Sequence, residues 1–146
     1  LVRAHVPDTI APPVQAAAHL LVECTAGEGG ELQGQVERAL LALTESGDIG
    51  DAVIAQNGTQ RRAFWRLRET IPAAEKHAGG SVKHDVSVQI DRLPALERAA
   101  SSAVLARTPE ARLSIYGHVG DGNLHFNVLA PAGIDPASFK ATHGDA

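Results

Sequence analysis

The chain has 146 residues, 44% hydrophobic and 21% charged, with a net charge of −4. That fits one soluble globular domain with room for its own core. The acidic balance and the 3% of aromatic residues exclude a basic footprint and base-stacking platforms, and with them nucleic acid as partner. The single Cys24 excludes an internal disulfide and points to a reducing, cytoplasmic setting. No apolar run approaches the roughly 20 residues of a membrane span, so no transmembrane segment is expected.

Residues 1–16, with Pro7, Pro12 and Pro13, read as a linker or arm from a preceding domain. His19–Thr25 reads as a strand, with Leu20, Val22 and Cys24 on one side and Cys24 expected as a packed core thiol. Gly27-Glu28-Gly29-Gly30 breaks it, and the spacing of Leu32, Val36, Leu40 and Leu43 predicts a helix to about Glu45. Asp51–Gln56 is a short apolar strand. Asn57-Gly58-Thr59 is a capping signal for a helix through Phe64, Leu67 and Ile71, which Pro72 should kink or stop. Gly79-Gly80 ends that element.

Ser81–Ile90 keeps period two without a slip and predicts a strand with one core face and one face for water or a ligand. On its core face, His84 is expected to be buried and hydrogen-bonded rather than a ligand. Asp91 should cap a helix through Leu93, Leu96, Ala99 and Val104, ending near Thr108-Pro109. After the strands that follow, Pro131 and Gly133 break the chain and Asp135–Thr142 looks like the start of a last helix. The order β-α-β-α-β-α-β-β suggests an α+β fold: a ferredoxin-like sandwich with an antiparallel or mixed sheet and helices on one face.

Ile115–Val128 organises the rest. It reads as two strands joined by a tight Asp121-Gly122 turn, pairing His118 with His125 and Tyr116 with Asn127. Leu113, Ile115, Val119, Leu124, Phe126 and Val128 then share an apolar face; Ser114, Tyr116, His118, His125 and Asn127 share a polar one. Opposed Cβ atoms lie about 4.5–5.5 Å apart, so two imidazoles there can converge on one divalent ion. Two ligands are too few for a tight site, and a pair of surface histidines is the plain alternative. Asp85 is a candidate to orient a ligand imidazole, or else a solvated charge.

Arg61, Arg62, Arg66 and Arg68 crowd the first turns of one helix, where guanidinium groups would grip carboxylates; an exposed basic face is the alternative for most of them. Arg68, beside Trp65 and the core stripe, is the carboxylate-binding candidate. Lys83 lies on the polar strand face, and Asn127, a poor strand former, favours a ligand role there. Neither a phosphate loop nor a hydrolase nucleophile elbow is present.

Gly117-His118-Val119-Gly120-Asp121-Gly122-Asn123-Leu124-His125-Phe126-Asn127 resembles a hairpin in the C-terminal, substrate-side domain of FAD-linked 2-hydroxy-acid dehydrogenases. That group includes D-lactate dehydrogenase, the glycolate oxidase flavoprotein subunit and D-2-hydroxyglutarate dehydrogenase. Trp65-Arg66-Leu67-Arg68-Glu69 matches the family's Trp-x-Leu-Arg-Glu, and Lys83-His84-Asp85-Val86-Ser87 its Lys-x-Asp-x-Ser. The resemblance covers Arg61–Ile90 and the hairpin, and more weakly the rest.

The resemblance implies that Arg68 and Lys83 hold substrate carboxylates, that Asn127 touches substrate, and that His118 and His125 bind a divalent metal such as Zn²⁺. FAD would be bound mainly by a domain preceding residues 1–16, leaving 17–146 as a truncated substrate domain. Pro72 stands where some relatives place a hydroxyl residue, and a Glu-His-Gly segment with a third metal ligand and a base would fall beyond Ala146. No catalytic residue is therefore assigned within the chain, and the chain alone is expected to be inactive. A small 2-hydroxy acid is the implied partner, the electron acceptor is open, and a sheet face without its FAD domain is a candidate for homo-oligomeric pairing. The alternative is a stand-alone ferredoxin-like module that binds a metal or small ligand, for instance an amino acid, without chemistry.

Overall fold

A computed structural model describes residues 1–27, 29–131 and 133–144. Glu28, inside the predicted glycine break, and Asp145–Ala146 lie outside the described residues. The helices are α1 (Val2–His5), α2 (Leu32–Glu45), α3 (Gly58–Glu69), α4 (Ile71–His77), α5 (Leu93–Arg107) and α6 (Pro136–His143). The strands are β1 (Ser81–Ser87), β2 (Arg112–His118) and β3 (Asn123–Leu129). The chain divides into two compact units, one of Leu1–Val6 with Ile71 onward, the other of Pro7–Thr70.

The first unit is built on a three-stranded antiparallel sheet in the order β1-β3-β2. Period-two alternation puts Val82, Val128 and Leu113 in one row of its apolar face and His84, Phe126 and Ile115 in the next. Phe139 of α6 and Ala111 join Val82, Phe126 and Val128 in the core, and Ala100 and Val104 of α5 pack against it. His84 is only half-buried on this face.

The α+β class is as expected, but three details of the expected sandwich differ. His19–Thr25 and Asp51–Gln56 form no ladder, so the described sheet has three strands and the ferredoxin-like arrangement is not reached. Leu20 and Val22 are 73% and 63% exposed, and Cys24 is an exposed thiol rather than a packed one. Helices also occupy both sides of the sheet. α4 lies against the polar face, where its Glu75 bonds Asn127 and Ser81.

Local signals fared better. Asn57 caps α3 by accepting from the Gln60 N–H, and α3 stops at Glu69 just ahead of Pro72. The Gly80 N–H donates to the Glu75 carbonyl at 2.8 Å, the wrap that closes a helix on a left-handed glycine pair. Asp91 does not cap α5: it lies in a 3₁₀ turn, Ile90–Arg92, and Arg92 is the cap residue. β1 ends at Ser87: the Val88 N–H still donates to the Gly122 carbonyl, the next position in register, but the Gly122 N–H turns to the Val119 carbonyl and returns no bond. The N-terminal arm includes α1, whose Val2 is buried. No helix among the described residues is long and apolar enough to cross a membrane.

The hairpin turn is longer than the two-residue turn expected. A 3₁₀ turn, Val119–Asp121, precedes Gly122, which alone takes a left-handed conformation (φ 67°), while Asp121 keeps a negative φ. A type I′ turn needs positive φ at both central residues, so the loop runs from Val119 to Gly122 and the Asp121 carboxylate accepts from the Asn123 N–H. The register moves by two: His118 pairs with Asn123 and Tyr116 with His125. An even shift leaves the side chains within the ladder on their expected faces, but Val119, expected on the apolar face, lies in the 3₁₀ turn and is 50% exposed. A Cβ at Gly122 would run into the Val88 carbonyl oxygen, so glycine is required there.

Candidate functional site

Three rows cross the polar face of the sheet: Lys83–Asn127–Ser114, Asp85–His125–Tyr116 and Ser87–Asn123–His118. His118 and His125 are therefore diagonal neighbours rather than an opposed pair. Their rings still meet edge to face, with centroids 5.6 Å apart, and the Tyr116 ring, also from β2, has its centroid 5.0 Å from that of His125. Asp85 Oδ2 is 3.4 Å from His125 Nδ1, while Asp85 Oδ1 accepts from Asn123 Nδ2. With Nδ1 engaged, His125 has Nε2 left for a ligand.

These rings offer two imidazole ligands on one face. Among the described residues no group of three or more His, Cys, Asp or Glu side chains is placed to hold a metal ion. A zinc site takes at least three protein ligands, so the chain's donor set fits part of such a site and not the whole. Asn123 Oδ1 is buried without a hydrogen-bond partner beside the same residues.

Lys83 and Asn127 meet on a residue that the sequence reading missed. Both carboxylate oxygens of Glu75 accept from Asn127 Nδ2, at 2.9 and 3.2 Å, and Lys83 Nζ lies 3.6 Å from Oε2. Asn127 Nδ2 also reaches the Tyr116 hydroxyl at 3.5 Å. The sequence signal for Glu75 is faint: one acid in a short helix beside Ala73 and Ala74 gives no hint of complete burial.

Arg68 lies in the other unit, half-buried in the last turn of α3 with Arg66. The arginines are thus split between the two ends of the helix instead of crowding its first turns, and the last-turn pair complements the dipole. Arg61 pairs with Glu23 at 3.4 Å, Trp65 Nε1 donates to the same carboxylate, and Arg62 donates to Thr59 Oγ1. The site residues brought together are His118, His125, Lys83, Asn127 and Asp85; Arg68 stands outside that sheet unit.

A family model described as FAD linked oxidases, C-terminal domain, matches residues 1–142. The chain belongs to this family. It is 35% identical over 112 residues to a probable mitochondrial D-2-hydroxyglutarate dehydrogenase of Oryza sativa subsp. indica, which covers 77% of this chain and 20% of the relative. It is 34% identical over 123 residues to a D-2-hydroxyglutarate dehydrogenase of Xanthomonas citri pv. viticola, covering 84% of the chain and 26% of the relative. A mitochondrial D-2-hydroxyglutarate dehydrogenase of Rattus norvegicus is 34% identical over 125 residues, 82% of the chain and 22% of the relative. The matched part is thus about a fifth to a quarter of these relatives' length.

Proposed function

We propose that this chain is the substrate-side part of an FAD-dependent dehydrogenase that oxidises a 2-hydroxy acid of the D-lactate or D-2-hydroxyglutarate type. The observation that carries the reading is the polar sheet face, where two imidazoles, a phenol and an oriented carboxylate converge in a chain of the FAD-linked oxidase family. The names of the relatives support the substrate class. Oxidation at C2 breaks the C–H bond with its electron pair and releases the hydroxyl proton, leaving a 2-oxo acid. FAD, bound by parts of the protein outside this chain, supplies the hydride acceptor.

His118 and His125 would hold a divalent cation, Zn²⁺ first among candidates, with the remaining ligands from elsewhere in the protein. The chemistry such a cation supplies is a lowered pKa of a bound hydroxyl. Asp85 keeps the His125 ring in one orientation by occupying Nδ1. Asn127 and Lys83 line the floor beside the imidazoles, where the amide and ammonium orient the acid, and Arg68 is the second carboxylate-binding candidate. The single thiol, Cys24, supports a cytoplasmic site of action, which cell fractionation checks.

The test is dye-linked oxidation of D-lactate and D-2-hydroxyglutarate by the full-length protein, with metal content measured in parallel. His118→Ala and His125→Ala should each lower kcat/KM by about a hundredfold or more and deplete the metal, and residues 1–146 alone should show no turnover. Variants that keep both the metal and the activity would remove the histidines from the site.

A further inference from the structure

Glu75 is fully buried, and both of its carboxylate oxygens are tied down. Each accepts from Asn127 Nδ2, at 2.9 and 3.2 Å, and Oε2 also accepts from Ser81 Oγ at 3.4 Å. Asn127 is itself 2% exposed, so the anchor lies inside the fold. Removing a carboxylate from water is costly unless it is paired. The Asn127 bond does not need the charge, because an amide oxygen in its place would accept it too. The group that does need it is Lys83, whose Nζ lies 3.6 Å from Oε2.

The two partners of that pair are unequal. The Glu75 side chain is 1% exposed and anchored, whereas the Lys83 side chain is 59% exposed and carries its ammonium on a flexible four-carbon stem. The field of the carboxylate reaches Nζ partly through protein, where it is screened less than between two surface groups. A fixed buried charge therefore selects one position for a mobile exposed one. The pair does not close Lys83 to a substrate. An ammonium has three N–H donors, and turning one toward Oε2 leaves two for a carboxylate. Nor does the face repel acids: Lys83 and the divalent cation proposed at His118 and His125 together outweigh Glu75 and Asp85. It stays open to monocarboxylates and dicarboxylates alike.

We propose that Glu75 is a positioning residue: from α4 it pins the Lys83 ammonium where a substrate carboxylate docks, without touching the substrate itself. The inference rests on the function proposed above and deepens its account of Lys83. The benefit is preorganisation, since side-chain freedom given up in the folded protein is not lost again when the acid binds. Glu75 acts on the hold of a carboxylate and not on the reacting C2 atom, so its removal should be read in KM rather than in kcat.

The experiment measures kcat and KM for D-lactate and D-2-hydroxyglutarate in the full-length holoenzyme, as wild type, Glu75→Gln, Lys83→Gln and the double variant. Glu75→Gln keeps an acceptor for Asn127 and removes only the charge. For the better substrate it should raise KM about tenfold and change kcat less than about twofold. In the Lys83→Gln background the same substitution should move KM by less than about twofold, because Glu75 then has no ammonium to hold. A loss equally large in that background, or one that falls on kcat, is what a purely structural carboxylate predicts and would overturn the inference. So would a lower KM in Glu75→Gln, since the charge would then oppose the acid. Lys83→Arg, at an exposed side chain, tests the proposal even if Glu75→Gln does not fold. Arginine keeps the positive charge but cannot place it at the same point, so KM should rise about as far as in Lys83→Gln. A wild-type KM in Lys83→Arg would overturn the inference. If the wild type oxidises neither acid, the functional reading falls and takes this inference with it. If it oxidises them and Lys83→Gln leaves KM unchanged, the inference falls alone.

Discussion

In the sheet unit, β3 runs between two partners, so Leu124, Phe126 and Val128 meet side chains from both neighbouring strands, and α5 and α6 close over them. In the Pro7–Thr70 unit, apolar residues lie open: Leu20, Val22 and Val53 of the two expected strands and Leu41 of α2 are each at least half exposed, and neither α2 nor α3 buries a residue. The contrast teaches what alternation does and does not specify. It fixes which side chains share a face; it does not supply the neighbouring strand that turns a face into a core. The candidate site follows the same division, since every polar-face residue lies on the sheet that found its partners.

The sharpest way to break this comparison is to delete one large side chain from each unit. Phe126→Ala, at 4% exposure, should cost about 3–5 kcal/mol by loss of transfer energy and the cavity left behind. Leu41→Ala, at 59% exposure, should stay within about 0.5 kcal/mol. Urea unfolding of the two variants checks it, and equal losses would mean that the two units do not differ as described.

A second substitution sharpens the link from sheet to site. Gly122→Ala places a methyl group against the Val88 carbonyl at a left-handed φ, and should cost more than about 1 kcal/mol. Relief of that clash has to come from the hairpin loop, so the contact between the His118 and His125 rings should loosen with it. Unfolding gives the energy, and nuclear Overhauser contacts between the imidazoles report the geometry. Retained ring contacts at full stability would show that the loop does not set the register.

Much of this was legible because the signals are local. Asn57, Pro72 and the Gly79-Gly80 pair each act within a few residues, and α3 and α4 begin or end where those residues place them. The faces of the hairpin ladder were legible too, since parity survives a shift of two. The register was not, because Asp121-Gly122 fits both a two-residue turn and a longer loop, and the choice depends on Asp121 keeping a negative φ. Glu75 was the larger omission. Its burial comes from α4 crossing the polar face of strands that lie later in the chain, which no window around residue 75 contains.

The smallest expected effect lies at α6, which supplies Phe139 to the core. Asp135 caps this helix, accepting from the Ser138 N–H at 2.9 Å and from Ser138 Oγ at 2.8 Å. The Ser138 N–H first, and then the Ser138 hydroxyl, hold the carboxyl below its ordinary value of 3.8. A depressed carboxyl stabilises the folded state above the unfolded value, and that contribution is lost as the pH falls through the lower folded one. Hydrogen exchange at the Ser138 amide should therefore be slow at neutral pH and quicken only in acid below 3.8, relative to the intrinsic rate. Asp135→Asn keeps an acceptor but cannot titrate, so its profile should be flat over the same range. A midpoint at or above 3.8 in the native protein would mean that the cap is not formed in solution. Phe139 would then be held by its core neighbours alone.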